Sequence, residues 1–446
     1  MSNLNVRTVT GKDNQPVLFP TGIAMGSGAG GGINNIGIAG QAGFGVGVCP
    51  GPLPSGFGGL SDYSNPMSDN YGNYWYSDGS VMVWVPAFYY KWGTGSNGLA
   101  VNVVSVNPFS AYADVATANA AGYALHRAFY DGGAVRLGVF VDKYQASNNG
   151  GTASSINNGH PLSSAAVHNP FAGLTGAPGN FYYGAIAAAK TRGASFFCNS
   201  RFIFEALALL SYAHAQASTT TTYCAWYHAT NNFPKGCNNN ALGDTNDAAI
   251  LYLTEGYSNC GKTGSANLFS RTTHNGQNCG VTDLNGNVWE ITPGLTSDAT
   301  NLYILNTSVA MKNVTGGNTL STDLWGATGL AAMYTSLGTT YGCLGVTGSN
   351  RTILFGNSAS QVFNEATTGN AWGVTGLGIP LVGGVSVGGT NLFGTDILYD
   401  YKPNEMCPIS GGSWDGGATA GVWALALDNA RDGSGDNRGF RSALYL

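Results

Sequence analysis

Cysteine and histidine are the residue types in this chain that could hold a metal or act as nucleophiles, but their spacing is not that of a metal site. The eight cysteines lie far apart and never form a C-x-x-C pair, so zinc is not expected. The six histidines show no ligand spacing, and the sequence singles out no Ser/His/Asp set. In a reducing cytosol the cysteines would remain thiols, and we interpret them as small buried side chains. They are Cys49, Cys198, Cys224, Cys237, Cys260, Cys279, Cys343 and Cys407.

A glycine-rich stretch could in principle bind a dinucleotide. Gly26, Gly28 and Gly31 have the spacing of that fingerprint, which also requires a strand before it and a helix after it. Neither is indicated, and residues 22–48 carry no charge and eleven glycines. A flexible tether, or a segment lying against partner backbones, explains this composition better. We therefore expect no organic cofactor.

The composition indicates an ordered, loop-rich, mostly β protein. Glycine supplies 68 of 446 residues and charged residues only 9%, while 43% of the chain is hydrophobic. The net charge of −5 comes without a basic block, so nucleic acid is not an expected partner. A surface of Asn, Thr, Ser and Gly suits a protein that is packed in an assembly or lives outside a cell.

Two negative expectations concern membranes. The first 20 residues carry charges where a signal peptide needs an apolar core, so no secretory signal is expected. No run of about 20 strongly apolar residues is present, so no membrane span is expected either.

The elements that must position any site are mainly strands. Residues 80–91, 101–106 and 134–144 are rich in β-branched and aromatic side chains, and in the last of these the alternation would put Val135, Leu137, Val139 and Val141 on one face. Helices are predicted at 181–190 and at 202–216, the second with Asn199 or Ser200 as N-cap. The polar stretch 218–280 is predicted to be loop, anchored by Trp226, Tyr252 and Phe269.

Separated motifs resemble the formylglycine-generating-enzyme branch of the C-type lectin fold. They are MVWVP at 82–86, VFVDKYQASN at 139–148, LNGNVWE at 284–290, GGSW at 411–414 and NRGFR at 437–441. The resemblance implies an α+β, C-type lectin-like domain with two helices, twisted antiparallel sheets and long loops. It would span 79–446, with 295–405 as an inserted loop or β subdomain, and residues 1–78 would form a Gly/Pro-rich arm.

The enzymes of that family use a cysteine pair between GGSW and GFR, and this chain has no cysteine in 415–438. Without a thiolate the oxidation has no carrier, so we expect no enzyme activity. The chain is also similar to the variable proteins of the same fold, including phage tropism determinants, in which side chains between the two motifs form a receptor-binding face. The residues implied here are Asp415, Thr419, Trp423, Asp428, Asn429, Arg431, Asp432, Asp436 and Arg438. For Trp423, a core position and an exposed anchor both remain open.

The resemblance also implies a metal position. Asn287 and Glu290 resemble residues that hold calcium in the enzyme branch, and Asp283 could assist them. The alternative is a buried carboxylate satisfied by backbone N–H groups.

The resulting hypothesis is a phage virion protein: a tail fibre, spike or baseplate tip. Its partners would be a host-cell receptor, protein or glycan, and other virion proteins bound through the arm, with the chain itself a homo-oligomer, expected to be a trimer. The alternatives are a capsid or tail decoration protein with a purely structural role, and the oxidase disfavoured above.

Overall fold

The computed structural model describes residues 32–92, 103–314, 330–339, 341, 352–354, 376–379 and 395–446. Within these ranges the protein consists mostly of short strands with few helices, which confirms the α+β class. The first twelve strands are β1 (Phe57–Gly59), β2 (Asn73–Tyr76), β3 (Val81–Pro86), β4 (Phe88–Trp92), β5 (Val104–Pro108), β6 (Ala124–Leu125), β7 (Tyr130–Asp131), β8 (Ala134–Val135), β9 (Gly138–Asp142), β10 (Ser147–Asn149), β11 (Thr152–Ser154) and β12 (Phe197–Cys198).

The remaining strands are β13 (Gly243–Asp244), β14 (Asp247–Leu251), β15 (Trp289–Ile291), β16 (Leu295–Ser297), β17 (Leu302–Leu305), β18 (Tyr334–Gly338), β19 (Thr352–Leu354), β20 (Ile397–Tyr399), β21 (Ile409–Ser410), β22 (Leu425–Ala426), β23 (Arg438–Gly439) and β24 (Ser442–Leu444). The α-helices of the described ranges are α1 (Val115–Ala120), α2 (Tyr182–Ala189) and α3 (Arg201–Ala217).

Both predicted helices are confirmed, and each has a local cause. In α3 every residue from Arg201 to Ala215 is buried, so its many alanines allow close packing on all sides. Ser200 is the N-cap: its side chain accepts a hydrogen bond from the N–H of Ile203 at 3.3 Å. The short helix α1 was not predicted; its cap is Asp114, whose carboxylate accepts from the N–H of Thr117 at 2.7 Å.

Two of the predicted strand runs are each divided. Residues 80–91 form β3 and β4, separated just after Pro86, which cannot donate to a ladder. Residues 134–144 form β8 and β9, and the expected common face is wrong. Val135 and Leu137 are 40% and 47% exposed, whereas β9 is buried on both faces.

Two six-stranded sheets organise the fold. The first has the order β1-β2-β3-β9-β24-β12, and the second β19-β20-β22-β21-β15-β23. Smaller sheets are β5-β4-β6 and β16-β17-β18, with two-stranded pairs β7-β8, β10-β11 and β13-β14. The pair β13-β14 lies in the stretch predicted as loop, where Trp226 and Tyr252 are buried as expected.

The predicted domain boundaries do not agree with this topology. Strands β1 and β2 pair with β3 in the first sheet, so residues 57–78 belong to the folded body and not to an arm. Ile36, Phe44 and Val46 are also buried in the main core. Strand β20, within 295–405, pairs with β22 of the C-terminal segment, so this end of the predicted insertion is joined to the second sheet. Residues 1–31 lie outside the described ranges.

Candidate functional site

The sequence motifs meet in space. Strand β3 pairs with β9, and β9 pairs with β24, so MVWVP, VFVDKYQASN and the chain beyond GFR share one sheet. Strand β15 of the GNVWE motif lies between β21, which precedes GGSW, and β23, which enters GFR. Direct backbone bonds complete the junction: Trp414 N–H donates to the carbonyl of Asn287, and Gly286 N–H to that of Gly411, each at 2.8 Å.

A buried ion pair lies at this junction. The Arg441 Nε donates to Glu290 Oε2 at 2.7 Å, and Nη2 bonds the other carboxylate oxygen, with both side chains at most 1% exposed. Arg441 also donates to the carbonyls of Asp142 at 3.0 Å and Thr282 at 2.9 Å. Removing either partner would leave an uncompensated buried charge, so the pair fixes how the two motifs dock.

The residues implied for calcium do not fit that ion. Each carboxylate oxygen of Glu290 is already paired with the Arg441 guanidinium. The Asn287 side-chain oxygen accepts from the N–H of Gly261 at 2.9 Å. Hydrogen-bond donors therefore occupy the positions that a cation would need.

The carboxylate of Asp283, the residue expected to assist a calcium site, also has hydrogen-bond donors on both oxygens. It accepts from the N–H of Gly264 at 2.7 Å and from Tyr252 Oη at 3.1 Å. Burial raises the pKa of Asp283 to about 6, partly offset by the Gly264 N–H and the charge of Arg441. The hydrogen bonds of these three residues argue against a calcium site here, and among the described residues no group of three or more His, Cys, Asp or Glu is arranged to hold a metal ion.

Three of the predicted binding residues are buried. Trp423 is 1% exposed and packs edge-on against Tyr212, with ring centroids 6.1 Å apart, so it is a core residue and not an exposed anchor. Asn429 is 8% exposed. Arg431 is 4% exposed and its Nε donates to Glu405 Oε2 at 2.5 Å.

The other six predicted residues reach the surface, and we name them the C-terminal face. Asp415 and Asp432 are exposed, and the remaining four are partly exposed. The set is Asp415, Thr419, Asp428, Asp432, Asp436 and Arg438. Ser413 joins its two halves, because Ser413 Oγ donates to Asp415 Oδ1 at 2.6 Å and accepts from Asn437 Nδ2 at 3.3 Å.

The arginine of this face lies beside two of its acids. Burial lowers the pKa of Arg438, and the charges of Asp428 and Asp436 partly offset that effect. The Arg438 side chain also passes close to Gly433 and Gly435: a Cβ on either glycine would come within 3.1 Å of it. The loop 431–433 is fixed to α2, whose Tyr182 N–H donates to the carbonyl of Gly433 at 2.9 Å.

His168 connects Glu255 to Asp436 of the face, and we name this set of contacts the His168 clamp. His168 Nε2 lies 2.5 Å from Glu255 Oε1, and Nδ1 lies 3.2 Å from the carbonyl oxygen of Asp436. The Glu255 carboxylate and the Asp436 carbonyl are acceptors, so a doubly protonated ring satisfies both contacts. Asn169 Nδ2 lies 3.2 Å from Nε2 and donates to Glu255 Oε2 at 2.9 Å. Tyr257 stacks on the imidazole at 4.2 Å and donates its hydroxyl to Asp436 Oδ2 at 2.9 Å.

The charge of this histidine follows from its surroundings. Burial lowers the pKa of His168, but the hydrogen bond and charge of Glu255 outweigh it, and the net shift is upward. Sequence reasoning missed the clamp. His168 is 87 residues from Glu255 and 268 from Asp436, and no local pattern connects residues so far apart.

The described cysteines are not suited to redox or metal chemistry. All seven are buried free thiols. Burial raises the pKa of each thiol, most strongly for Cys198, Cys260 and Cys407. Reactive thiols need the opposite shift. Cys343 lies outside the described residues.

Comparison with known proteins gives a distant structural likeness. No family model and no curated protein matches the chain. The Major Tropism Determinant M1 variant is similar over 82% of this chain and 63% of its own, with 12% identity and a TM-score of 0.29. For the U1 variant the values are 83%, 66%, 12% and 0.27. The chain thus spans less than two thirds of the length of either. Because such scores do not establish a common fold, the proposals below depend on the contacts described above.

None of the helices in the described ranges is both long enough and apolar enough to cross a bilayer.

Proposed function

We propose that this chain is a phage virion protein that binds a host-cell receptor through the C-terminal face, on a C-type lectin-like domain. The observation that carries the proposal is the contrast within 411–441. Trp414, Trp423, Phe440 and Arg441 are each at most 5% exposed, whereas the six residues of the C-terminal face reach solvent. Rigid scaffolds that present short polar side chains on loops are typical of binding surfaces.

Three groups of contacts make this face rigid. The ion pair of Glu290 and Arg441 fixes one end, α2 fixes the turn at Gly433, and the His168 clamp fixes Asp436. A preorganised surface loses little conformational entropy when it binds a partner. The absence of cysteine from 415–438 is consistent with binding in place of oxidation chemistry.

Two finer parts of the proposal concern assembly. The glycine-rich N-terminal residues attach the chain to other virion proteins, and the chain forms a homotrimer. Support for attachment is the uncharged, glycine-dense sequence of 22–31, which permits close approach to partner backbones. Sedimentation or native mass measurement of the purified chain tests the trimer, and a monomer at micromolar concentration would contradict it.

The receptor face is tested by adsorption to bacterial cells. The variant Thr419→Arg with Ser434→Arg places two long cations on the face without touching its buried anchors. On a strain that the wild-type chain binds saturably, we expect at least a tenfold loss of adsorption, since two misplaced charges cost about 1.4 kcal/mol or more.

The matched control is Thr300→Arg with Ser308→Arg, which makes the same chemical change at two exposed residues outside the face. It should adsorb like wild type. Equal adsorption by all three proteins would contradict the receptor role. If labelling of intact particles shows the face buried against neighbouring subunits, a decoration protein is the correct assignment.

A further inference from the structure

A polar pocket lies outside the C-terminal face, between the loop 221–231 and strand β14. Its volume is about 300 Å³, near the lower limit for small-molecule sites. The side chains that define it are Tyr227, His228, Asn231, Asn246, Asp247 and Arg271. We name it the Arg271 pocket.

Buried contacts hold the loop side of this pocket. Trp226 is 2% exposed and donates its indole N–H to the carbonyl of Thr273 at 3.0 Å. Lys235 lies beneath, also 2% exposed, and its Nζ donates to the carbonyls of Asn231 at 2.6 Å and Phe233 at 2.8 Å. The pocket wall is therefore fixed before any ligand arrives.

The pocket offers both donors and acceptors. Arg271 Nη1 donates to Asp247 Oδ2 at 2.8 Å, which accounts for one of its five N–H groups, and its side chain is 35% exposed. His228 Nδ1 accepts from the N–H groups of Thr230 at 3.1 Å and Asn231 at 3.2 Å, so in the neutral ring Nε2 carries the proton and is a donor. The Asp247 carboxylate and the Asn side chains supply acceptors.

The charges of this pocket are balanced. Arg271, which lines the pocket, is paired with Asp247, and Lys235, which also lines it, lies near Asp244, a buried acid outside the lining. Because both lining cations have acidic neighbours, a neutral group that donates and accepts, such as a hydroxyl, fits the pocket better than an added charge. The partly exposed ring of Tyr227 adds a flat apolar surface with a polar tip.

The pocket continues along the chain. A second cavity of about 290 Å³ shares Thr221 and Ala225 with it and is lined by Ser68, Ser270, Gln277 and other residues, most of them polar. The two cavities are therefore neighbours on the same side of the loop 221–231.

We propose that the Arg271 pocket is a binding site for a neutral saccharide. The Arg271 and His228 N–H groups donate to sugar hydroxyls, Asp247 accepts from them, and Tyr227 lines the apolar face of the ring. The site is separate from the C-terminal face and stands whether or not that face binds a receptor.

The test is saturation-transfer NMR on the full chain with maltose, cellobiose, lactose and N,N′-diacetylchitobiose, and with glucose against glucuronic acid. We expect saturable binding of at least one neutral disaccharide, insensitive to salt, and weaker binding of glucuronic acid than of glucose. Arg271→Gln should weaken the disaccharide at least tenfold.

Arg136→Gln is the matched control, because Arg136 also forms a partly exposed ion pair, with Asp131, elsewhere on the surface. It should bind like wild type. If Arg271→Gln lowers the thermal stability, His228→Ala replaces it, since His228 is exposed and outside the core clusters. No binding of any neutral disaccharide at millimolar concentration, preferred binding of glucuronic acid, or an equal loss in the control overturns the proposal.

The two proposals are distinguishable with one further protein. Thr419→Arg with Ser434→Arg should keep full disaccharide binding while it loses adsorption. Loss of disaccharide binding in that variant would place the sugar on the C-terminal face and overturn the Arg271 pocket as its site.

Discussion

Glu290 and Arg441, 151 residues apart in the chain, form a buried two-point ion pair with an Nε–Oε2 distance of 2.7 Å. One residue ends the GNVWE motif and the other ends GFR. The guanidinium also donates to the carbonyls of Asp142 and Thr282, so Glu290 and Arg441 both have a structural role at the meeting point of the two motifs.

Breaking this pair should destabilise the protein strongly. Arg441→Met leaves the Glu290 carboxylate buried without a cationic partner, with only the Gln145 amide donating to it at 3.3 Å, and we expect the free energy of unfolding to fall by about 3–5 kcal/mol. Urea unfolding measures the change. The double variant Glu290→Leu with Arg441→Met should recover part of the loss, because no charge then remains unpaired.

Arg136→Gln serves as the reference for a pair nearer the surface. Its Nη2–Asp131 distance is 3.3 Å and the arginine side chain is 29% exposed, so the expected cost is about 0–1 kcal/mol. If Arg441→Met lowers the free energy of unfolding by only this amount, the ion pair of Glu290 and Arg441 does not stabilise the contact between the two motifs.

Calcium should have no effect on stability. The Glu290 oxygens are paired with Arg441 and the Asn287 oxygen accepts from Gly261, so no oxygen cage is available at this position. Thermal unfolding in excess calcium and in excess EDTA should give the same midpoint within error. A midpoint several degrees higher in calcium would show that the folded protein binds the ion and would contradict this prediction.

Trp423 should act through packing and not through binding. Trp423→Ala removes a side chain that is 1% exposed, and we expect it to lower the free energy of unfolding by about 3–5 kcal/mol. Asp432→Ala, at an exposed position of the same segment, should change it by about 0.5 kcal/mol or less. Urea unfolding of both variants checks the contrast, and equal values would mean that Trp423 is not part of the core.

The His168 clamp should weaken as the pH rises. The folded-state pKa of His168 is raised, so its stabilisation is complete below the unfolded value of about 6.5 and is lost as the pH rises through the folded pKa. The pKa of Glu255 is lowered, although burial opposes this, mainly by its hydrogen bond to His168. Its contribution is therefore present above about pH 4.3 and is lost as the pH falls through the folded pKa.

The measurement is the free energy of unfolding of wild type minus that of His168→Gln across this pH range. The difference should shrink as the pH rises above about 6.5. The charged and titratable groups around the ring are Glu255, His160, Tyr257 and Asp436, and none of them is altered in the variant. His228→Gln, in an exposed turn, is the control. A difference that grows with pH would exclude a protonated clamp.

The parts of the fold that were predictable depend on local patterns. Helix α3 follows from apolar spacing and a capping serine and α2 from its alanine-rich sequence, and the motifs around Trp289 and Trp414 indicated residues that meet. Strands β1 and β2 were missed because they are short, lie among Gly, Tyr and Asp residues, and are recognisable only by pairing with β3.

Within the site, burial was the hardest property to predict. Trp423 lies in the apolar run 422–427, which favours a core position, and between two motifs, which favours exposure, so the sequence left both open. No apolar run includes Asn429 or Arg431, so the sequence did not predict that they are buried. Their burial depends on Glu405 and the carbonyl contacts of neighbouring segments, which a single sequence does not reveal.

The position of β24 affects the order in which the protein can form. It is hydrogen-bonded between β9 and β12, so these two strands lack their common neighbour until residues 442–444 arrive. A ribosome releases these residues only after it has made β9 and β12, and strand closure over roughly 300 residues is slow. The sheet is therefore completed late in synthesis, and a chain stalled before residue 442 would expose the unpaired edges of β9 and β12 to aggregation.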